Sequence, residues 1–209
     1  LVPVLKIKTT KSYAYAIWQI EEDLETLLHQ LKATKEELKK INEISHLNRK
    51  KQNIAARLLL NHLALNKIEL KYLKNGKPHC SIFNHTSISH SKNICVVIVS
   101  ENLIGIDVQY RKPSIQALYK KFINKRELFF WGNNISFVNL HLIWCAKEAI
   151  YKTLGANCSL KENIHLNSID SKKGDAYYKN GNIKIRYNII FDMLGDYFLS
   201  IAKQDDRNL

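Results

Sequence analysis

Strand-like and helix-like stretches come in blocks along this chain, and that arrangement limits the folds open to it more than any other feature. Ser12 to Ile20, with Tyr13, Tyr15, Ile17 and Trp18, has the composition of a strand. Helical patterns follow at Glu21 to His29, Lys35 to Ile44 and Arg49 to Leu65. In the last of these, Ile54, Leu58, Leu59, Leu63 and Leu65 are spaced broadly as on one helix. Ile68 to Leu73 alternates as a short strand, Asn75-Gly76 turns the chain and Pro78 fixes the exit. Three strands are then expected at His85 to His90, Ile94 to Ser100 and Asn102 to Gln109. Helices are expected at Ser114 to Lys121, Lys125 to Trp131 and Ser136 to Leu154. The last third returns to strands at Asn163 to Ile169, Asp175 to Lys179, Ile183 to Ile190 and Tyr197 to Ala202, with Asn180-Gly181 as a hairpin turn. Such segregation argues for an α+β fold with antiparallel sheets. Two lobes meeting near residue 102 fit the pattern, although no Pro/Gly-rich linker marks the join.

With 209 residues and 45% apolar side chains the chain can bury a full core. No run of 18 apolar residues occurs, so no membrane span is expected. Cys80, Cys95, Cys145 and Cys158 lie far apart, without a CxxC pair, and their spacing to His85 and His90 matches no zinc pattern. Free thiols suit a reducing compartment, and a cytoplasmic protein is the expectation. The formal net charge of +13 favours acidic partners: nucleic acid, anionic lipid, polyphosphate ligands or acidic proteins. Lys, Asn and Ile are abundant throughout, so compositional bias would also produce that charge.

Three segments place polar groups where a core pattern predicts apolar ones. In Ile104-Gly105-Ile106-Asp107-Val108-Gln109, strand alternation puts Ile104, Ile106 and Val108 on one face and projects Asp107 and Gln109 from the other. Gly105 leaves room for a close backbone or ligand approach. A solvated strand face would explain the segment, and so would a Mg²⁺ site, since that ion takes one or two carboxylates plus phosphate oxygens and water. In Trp144 through Lys152, Ile143, Ile150 and Leu154 form an apolar helical stripe, and Lys147 falls within the face that should be buried. Glu148 and Lys152 stand at i and i+4 on its rim. A cation on an inner face requires an anion, and phosphate would serve. In Ser87-Ile88-Ser89-His90-Ser91-Lys92, the serines share one face, and hydroxyls, imidazole and lysine can all donate to phosphate. An ordinary polar strand end would look the same. No GxxxxGK[ST] loop, GxGxxG loop or GxSxG elbow is present.

Taken in order, Gly76-Lys77-Pro78, Ser87 to Ser91, Gly105 to Gln109 and Trp144 to Lys152 resemble the 4′-phosphopantetheinyl transferase superfamily, in its larger monomeric branch. That family has a GKP turn, an N/S-x-SHS stretch, a G-[IV]-D-[IV]-[EQ] strand and a W-x-x-KE-x-x-x-K helix. The resemblance spans about residues 49–155. It implies two similar lobes, residues 1–101 and 102–209, related by a pseudo-twofold axis. Each would carry a small antiparallel sheet and a long helix, with coenzyme A in the cleft between them. Asp107 and Glu148 would hold Mg²⁺ or Mn²⁺, with Gln109 where many relatives place a second acidic ligand. Lys147 and Lys152 would contact phosphates, and Lys152 could stabilise or protonate the leaving 3′,5′-ADP. Ser89 and His90 would bind phosphates of coenzyme A, Lys77 would sit beside the adenine, and Arg49 or Arg57 would meet the 3′-phosphate. The implied reaction moves the phosphopantetheine arm of coenzyme A to a serine of an acidic apo acyl or peptidyl carrier protein, as a holo-[acyl-carrier-protein] synthase does. Glu148, Lys152 and Asp107 would be its catalytic residues.

Two rival readings remain at this level. A basic nucleic-acid-binding protein would use Arg49-Lys50-Lys51 and residues 119–126, but would leave Asp107, Glu148 and their order with Ser89-His90 unexplained. An inactive relative that only binds a carrier protein would have no need of Asp107, Glu148 and Lys152 together.

Overall fold

The side chains of Tyr13–Gln19 sort by parity, and so do those of Ile94–Ser100: odd and even positions enter two different cores. Tyr15, Ile17, Val96 and Ile98 go to one, Ala16, Trp18, Cys95 and Val97 to the other. A strand covered on both faces has no solvent side, hence the unbroken apolar run Ile94-Cys95-Val96-Val97-Ile98-Val99.

The computed structural model describes residues 6–132, 135–155, 158–170 and 172–205. In chain order the first half contains β1 (Lys6–Thr9), β2 (Tyr13–Gln19), α1 (Leu24–Leu31), α2 (Lys35–Asn42) and α3 (Leu47–Ala64). The two-residue strands β3 (Lys71–Tyr72) and β4 (Pro78–His79) follow, then β5 (His85–Ser91) and β6 (Ile94–Ser100). The second half contains β7 (Ile104–Tyr110), α4 (Ile115–Leu118), a 3₁₀ turn at Tyr119–Lys121, α5 (Lys125–Trp131) and α6 (Phe137–Leu154). It ends in β8 (Ile164–Ile169), β9 (Lys173–Asn180), β10 (Ile183–Leu194) and β11 (Tyr197–Gln204).

The fold is α+β with small antiparallel sheets. One sheet has the order β1-β2-β6-β5, the other β7-β11-β10-β9-β8, and among the described residues β3 pairs only with β4. Helices α1 and α3 cover the outer face of the first sheet, with Leu27, Ile54, Leu58 and Leu59 against Trp18 and Val97. Helix α6 covers the outer face of the second, with Ile143, Ala146 and Ile150 against Tyr187, Phe198 and Ala202. The inner faces meet each other: Tyr15, Ile17, Val96 and Ile98 pack on Ile104, Ile106, Val108, Leu199 and Ile201. The layers therefore run helix, sheet, sheet, helix.

At one margin β5 and β7 lie side by side without a backbone ladder. The N–H groups of Ile106, Val108 and Tyr110 donate instead to the hydroxyls of Ser87, Ser89 and Ser91, at 3.1, 3.2 and 2.9 Å. The two-residue period of both strands keeps the three bonds in step. Gly105 is required by the opposite contact: a Cβ there would run into the carbonyl oxygen of Ala149 on α6. The expected room at Gly105 is thus taken by helix backbone.

Three expectations shift. The strand expected at Ile68 to Leu73 shrinks to Lys71–Tyr72, because Ile68 N–H is taken by the Asn61 side chain and Leu70 is buried against the α3 core. The helix expected at Ser114 to Lys121 splits into α4 and the 3₁₀ turn. Strand β1 was not foreseen: it is a short, Lys-rich edge strand whose Lys6 pairs with Asp192 of β10.

Candidate active site

Helix α6 is capped at its start by Ser136, whose hydroxyl accepts from Asn139 N–H, and at its end by Gly155 with φ +76°. Its last turns bring Glu148, Tyr151 and Lys152 beside β7. The Lys152 ammonium donates to Asp107 Oδ1 at 2.6 Å and to the Ile106 carbonyl at 3.1 Å. Asp107 is 2% exposed and makes two more bonds. Ser89 Oγ donates to its Oδ1 at 2.7 Å, and Gln109 Nε2 donates to its Oδ2 at 2.8 Å.

Glu148 differs from Asp107 in having no hydrogen-bond or ion-pair partner among the described residues. Burial pushes its carboxyl up to about 7, the nearby Asp107 charge adds to the rise and Lys152 opposes it. Two carboxylates in each other's field, one satisfied and one bare, suit a hard cation. Gln109 adds an amide rather than a third acid, and among the described residues no cluster of three or more His, Cys, Asp or Glu is present. Mg²⁺ tolerates so small a protein share, since water and phosphate oxygens fill the remainder. That an ammonium already rests on Asp107 shows the position favours positive charge.

Beside Lys152 opens a cavity of about 460 Å³ walled by both halves of the chain. From α3 come Arg49, Gln52, Asn53 and Ala56, and from the β3–β4 turn Tyr72, Asn75, Gly76, Lys77 and Pro78. From β5 come Ser87, Ile88 and His90, and from the end of α6 Tyr151, Lys152 and Gly155. Three obligate or near-obligate cations line it and no carboxylate does. Arg49 donates to His90 Nε2 at 3.0 Å, so that imidazole is the neutral tautomer with its proton on Nδ1. Burial, then the Arg49 and Lys152 charges, lower the His90 pKa. Burial likewise lowers that of Lys77, whose ammonium donates to the Thr153 carbonyl at the C-terminal end of α6. The β3–β4 turn packs closely on the end of α6, for a Cβ at Gly155 would meet the Asn75 side chain.

The sequence-derived candidates therefore divide. Asp107, Glu148, Gln109 and Lys152 gather around one point, and Arg49, Lys77, His90 and Lys152 face one cavity. Two others lie elsewhere. Lys147 is fully buried and spends its three donors on the Phe122 carbonyl at 2.7 Å, Glu127 Oε2 at 2.7 Å and the Leu160 carbonyl at 3.0 Å. No donor is left for a phosphate, so the anion required by its inward position is Glu127. Arg57 is 5% exposed and bound to Glu37, the Leu70 carbonyl and Asn53, so it lies behind the cavity wall and not in it. Of the two arginines considered for the 3′-phosphate, Arg49 lines the cavity and Arg57 does not. Ser89 is also turned inward: its hydroxyl donates to Asp107 and accepts from Val108, which makes it a support for the carboxylate rather than a wall of the cavity.

Tyr72, Asn53, Gln52 and Tyr151 were missed. Tyr151 had a signal, since it lies three residues after Glu148 and so shares its helix face. Tyr72, Asn53 and Gln52 had none, because only the tertiary fold sets α3 and the β3–β4 turn opposite α6.

Among the described residues no helix is long and apolar enough to cross a membrane. A search of curated proteins finds no match to the chain. A family profile does match, over residues 103–202, and it covers β7, with Asp107 and Gln109, and α6, with Glu148 and Lys152. Residues 103–202 match a domain of the 4′-phosphopantetheinyl transferase superfamily, and Asp107, Glu148 and Lys152 all lie within that span.

Proposed function

We propose that this protein transfers the 4′-phosphopantetheine group of coenzyme A to a serine of an apo carrier protein and releases 3′,5′-ADP. The observation behind this reading is the junction of two unlike sites. A cavity lined by Arg49, Lys77, His90 and Lys152, without a carboxylate, adjoins the buried Asp107 and the partly buried Glu148. The first suits a polyanion, the second a hard cation, and Lys152 touches both. The cavity volume suits the nucleotide and diphosphate part of coenzyme A, with the pantetheine arm extending outward. The two halves of the chain, residues 1–101 and 102–209, would form the two sides of this cleft.

Each residue then has a task. Arg49 and His90 bind a terminal phosphate from the first-half wall, and Lys77 with Tyr72 and Tyr151 borders the base. Asp107 and Glu148 would hold Mg²⁺, with Gln109 alongside. A bound Mg²⁺ supplies positive charge to the diphosphate and offsets the charge that builds on it. Glu148 accepts the proton of the incoming serine hydroxyl, a role open to a carboxylate that no side chain among the described residues holds. The serine oxygen bonds to the β-phosphorus as the bond from that phosphorus to the bridging oxygen of 3′,5′-ADP breaks. Lys152 stabilises or protonates that leaving group. The chain mainly positions and neutralises, which is what phosphoryl transfer needs. The net charge of +13 favours an acidic acceptor and speeds its approach.

The test is mass spectrometry of apo carrier proteins incubated with the protein, Mg²⁺ and coenzyme A. A gain of one phosphopantetheine group on the carrier is expected. No gain on acyl or peptidyl carriers of several kinds would refute the reading.

A further inference from the structure

The contacts of Lys152 say more than that it is catalytic. Its ammonium stands at the border of two compartments: it lines the anion cavity, and it is bonded to Asp107 behind the wall. Asp107 is already well supplied. Ser89 and Lys152 share Oδ1 and Gln109 holds Oδ2, filling three of the roughly four acceptor positions a carboxylate offers. A divalent cation arriving at Asp107 would meet an ammonium within bonding distance, with the carboxylate 2% exposed and the Lys152 side chain 25% exposed. The two cannot both hold Oδ1. An anion in the cavity draws Lys152 the other way, toward a phosphate.

We propose that Lys152 is the resident counter-cation of Asp107, and that a divalent cation replaces it only as Lys152 moves to the anion in the cavity. This rests on the function proposed above. The exchange keeps Asp107 paired at every stage, so a buried carboxylate is never left without a cation, a state that is strongly destabilising. It also couples the two ligands. Each removes the group that opposes the other, and by linkage each must tighten the other by the same factor. While the cavity holds no anion, the Lys152 ammonium opposes a divalent cation at Asp107 by its charge.

Binding of Mn²⁺, followed by the electron paramagnetic resonance of the free ion, separates this from a simple preformed metal site. The wild type, Lys152→Gln and Lys152→Arg are each titrated with and without coenzyme A. In the wild type coenzyme A should tighten Mn²⁺ about tenfold or more, within the usual range of such couplings. Lys152→Gln should bind Mn²⁺ about tenfold more tightly than the wild type when coenzyme A is absent, and coenzyme A should add little. Lys152→Arg, which keeps the charge, should bind the ion without coenzyme A as weakly as the wild type. A folded Lys152→Gln that binds Mn²⁺ no better than the wild type overturns the exchange. Should that variant fail to fold, a wild type whose Mn²⁺ affinity ignores coenzyme A overturns it equally. A wild type that modifies a carrier protein yet shows no coupling refutes the exchange alone. One that neither binds coenzyme A nor modifies any carrier refutes the proposed function and the exchange with it.

Discussion

Glu148 stands under two opposed demands. As the proposed base it needs its negative charge, but the folded protein resists that charge, and its carboxyl is pushed up to about 7 from an ordinary 4.5. The sign of the effect on stability follows from proton counting. Between those two values the folded chain binds a proton that the unfolded chain has released, so stability falls as pH rises through the window. Below 4.5 nothing is lost, and above 7 the whole penalty applies. At about 1.4 kcal/mol per pH unit, its ceiling is on the order of 3 kcal/mol. Glu148→Gln carries no such charge. It should lower transfer by about 10²–10⁴-fold, and denaturant unfolding should find it more stable than the wild type at pH 8 but not at pH 4. A variant with equal stability at both would mean that burial does not burden Glu148. Gln109 allows a second test at this scale. Its amide N–H now holds Asp107 Oδ2, and Gln109→Glu would set a carboxylate against a carboxylate there. That variant should melt below the wild type without metal and recover on adding Mg²⁺ together with coenzyme A. A melting temperature unmoved by either would place Gln109 outside the metal's reach.

At the scale of elements, Lys147 fixes α6 to the segment before it. Its ammonium joins the Phe122 and Leu160 carbonyls to Glu127, and Glu127 in turn accepts from the Asn124 and Leu166 N–H groups. Lys147→Met leaves Glu127 buried and unpaired, which should cost about 3–5 kcal/mol. The double variant Lys147→Met/Glu127→Gln should recover much of that, and the binding of coenzyme A to the folded fraction should change little. A loss of coenzyme A affinity without loss of stability would return Lys147 to the phosphates. The helix period alone placed Lys147 on the inner face of α6, and that part was legible. Its partner was not, because Glu127 lies 20 residues upstream and resembles a routine helix start: Asn124 and Glu127 form a capping box. The serines show the same limit. Alternation revealed that Ser87, Ser89 and Ser91 share a face, but nothing local says that the N–H groups of β7 will lie opposite. Asp107 and Glu148 were legible as an ordered pair of motifs. The hydrogen bond that Gln109 makes to Asp107 was not, since alternation gives a shared face without saying which group holds which.

Over the whole molecule, the sheets bind the two halves into one unit more tightly than a cleft between lobes suggests. Only residues 101–103 separate β6 from β7, too short a link for independent movement. Ile104, Ile106, Val108, Leu199 and Ile201 complete their core with Tyr15, Ile17, Ile94, Val96 and Ile98 of the other sheet. Cut at residue 102, each half would expose one face of its sheet, and β7 would lose the three serines that accept its N–H groups. The missing Pro/Gly-rich linker near residue 102 was the sequence sign of this, and it fits a shared core better than separable domains. The chain should therefore unfold in one step. Its tryptophans permit the check, because Trp18 is buried in the first-half core, whereas Trp131 and Trp144 pack in the second. A variant with Trp131 and Trp144 replaced by Phe reports the first half through Trp18, and Trp18→Phe reports the second. Each urea curve by fluorescence should coincide with the same variant's curve by far-ultraviolet circular dichroism, the mark of a two-state transition. Coenzyme A with Mg²⁺ should move both probes together, by about 2.7 kcal/mol at a hundredfold excess over the dissociation constant. If the first half melted before the second in either variant, the sheets would be separable layers, and the family-matched residues 103–202 could be expected to fold without the rest.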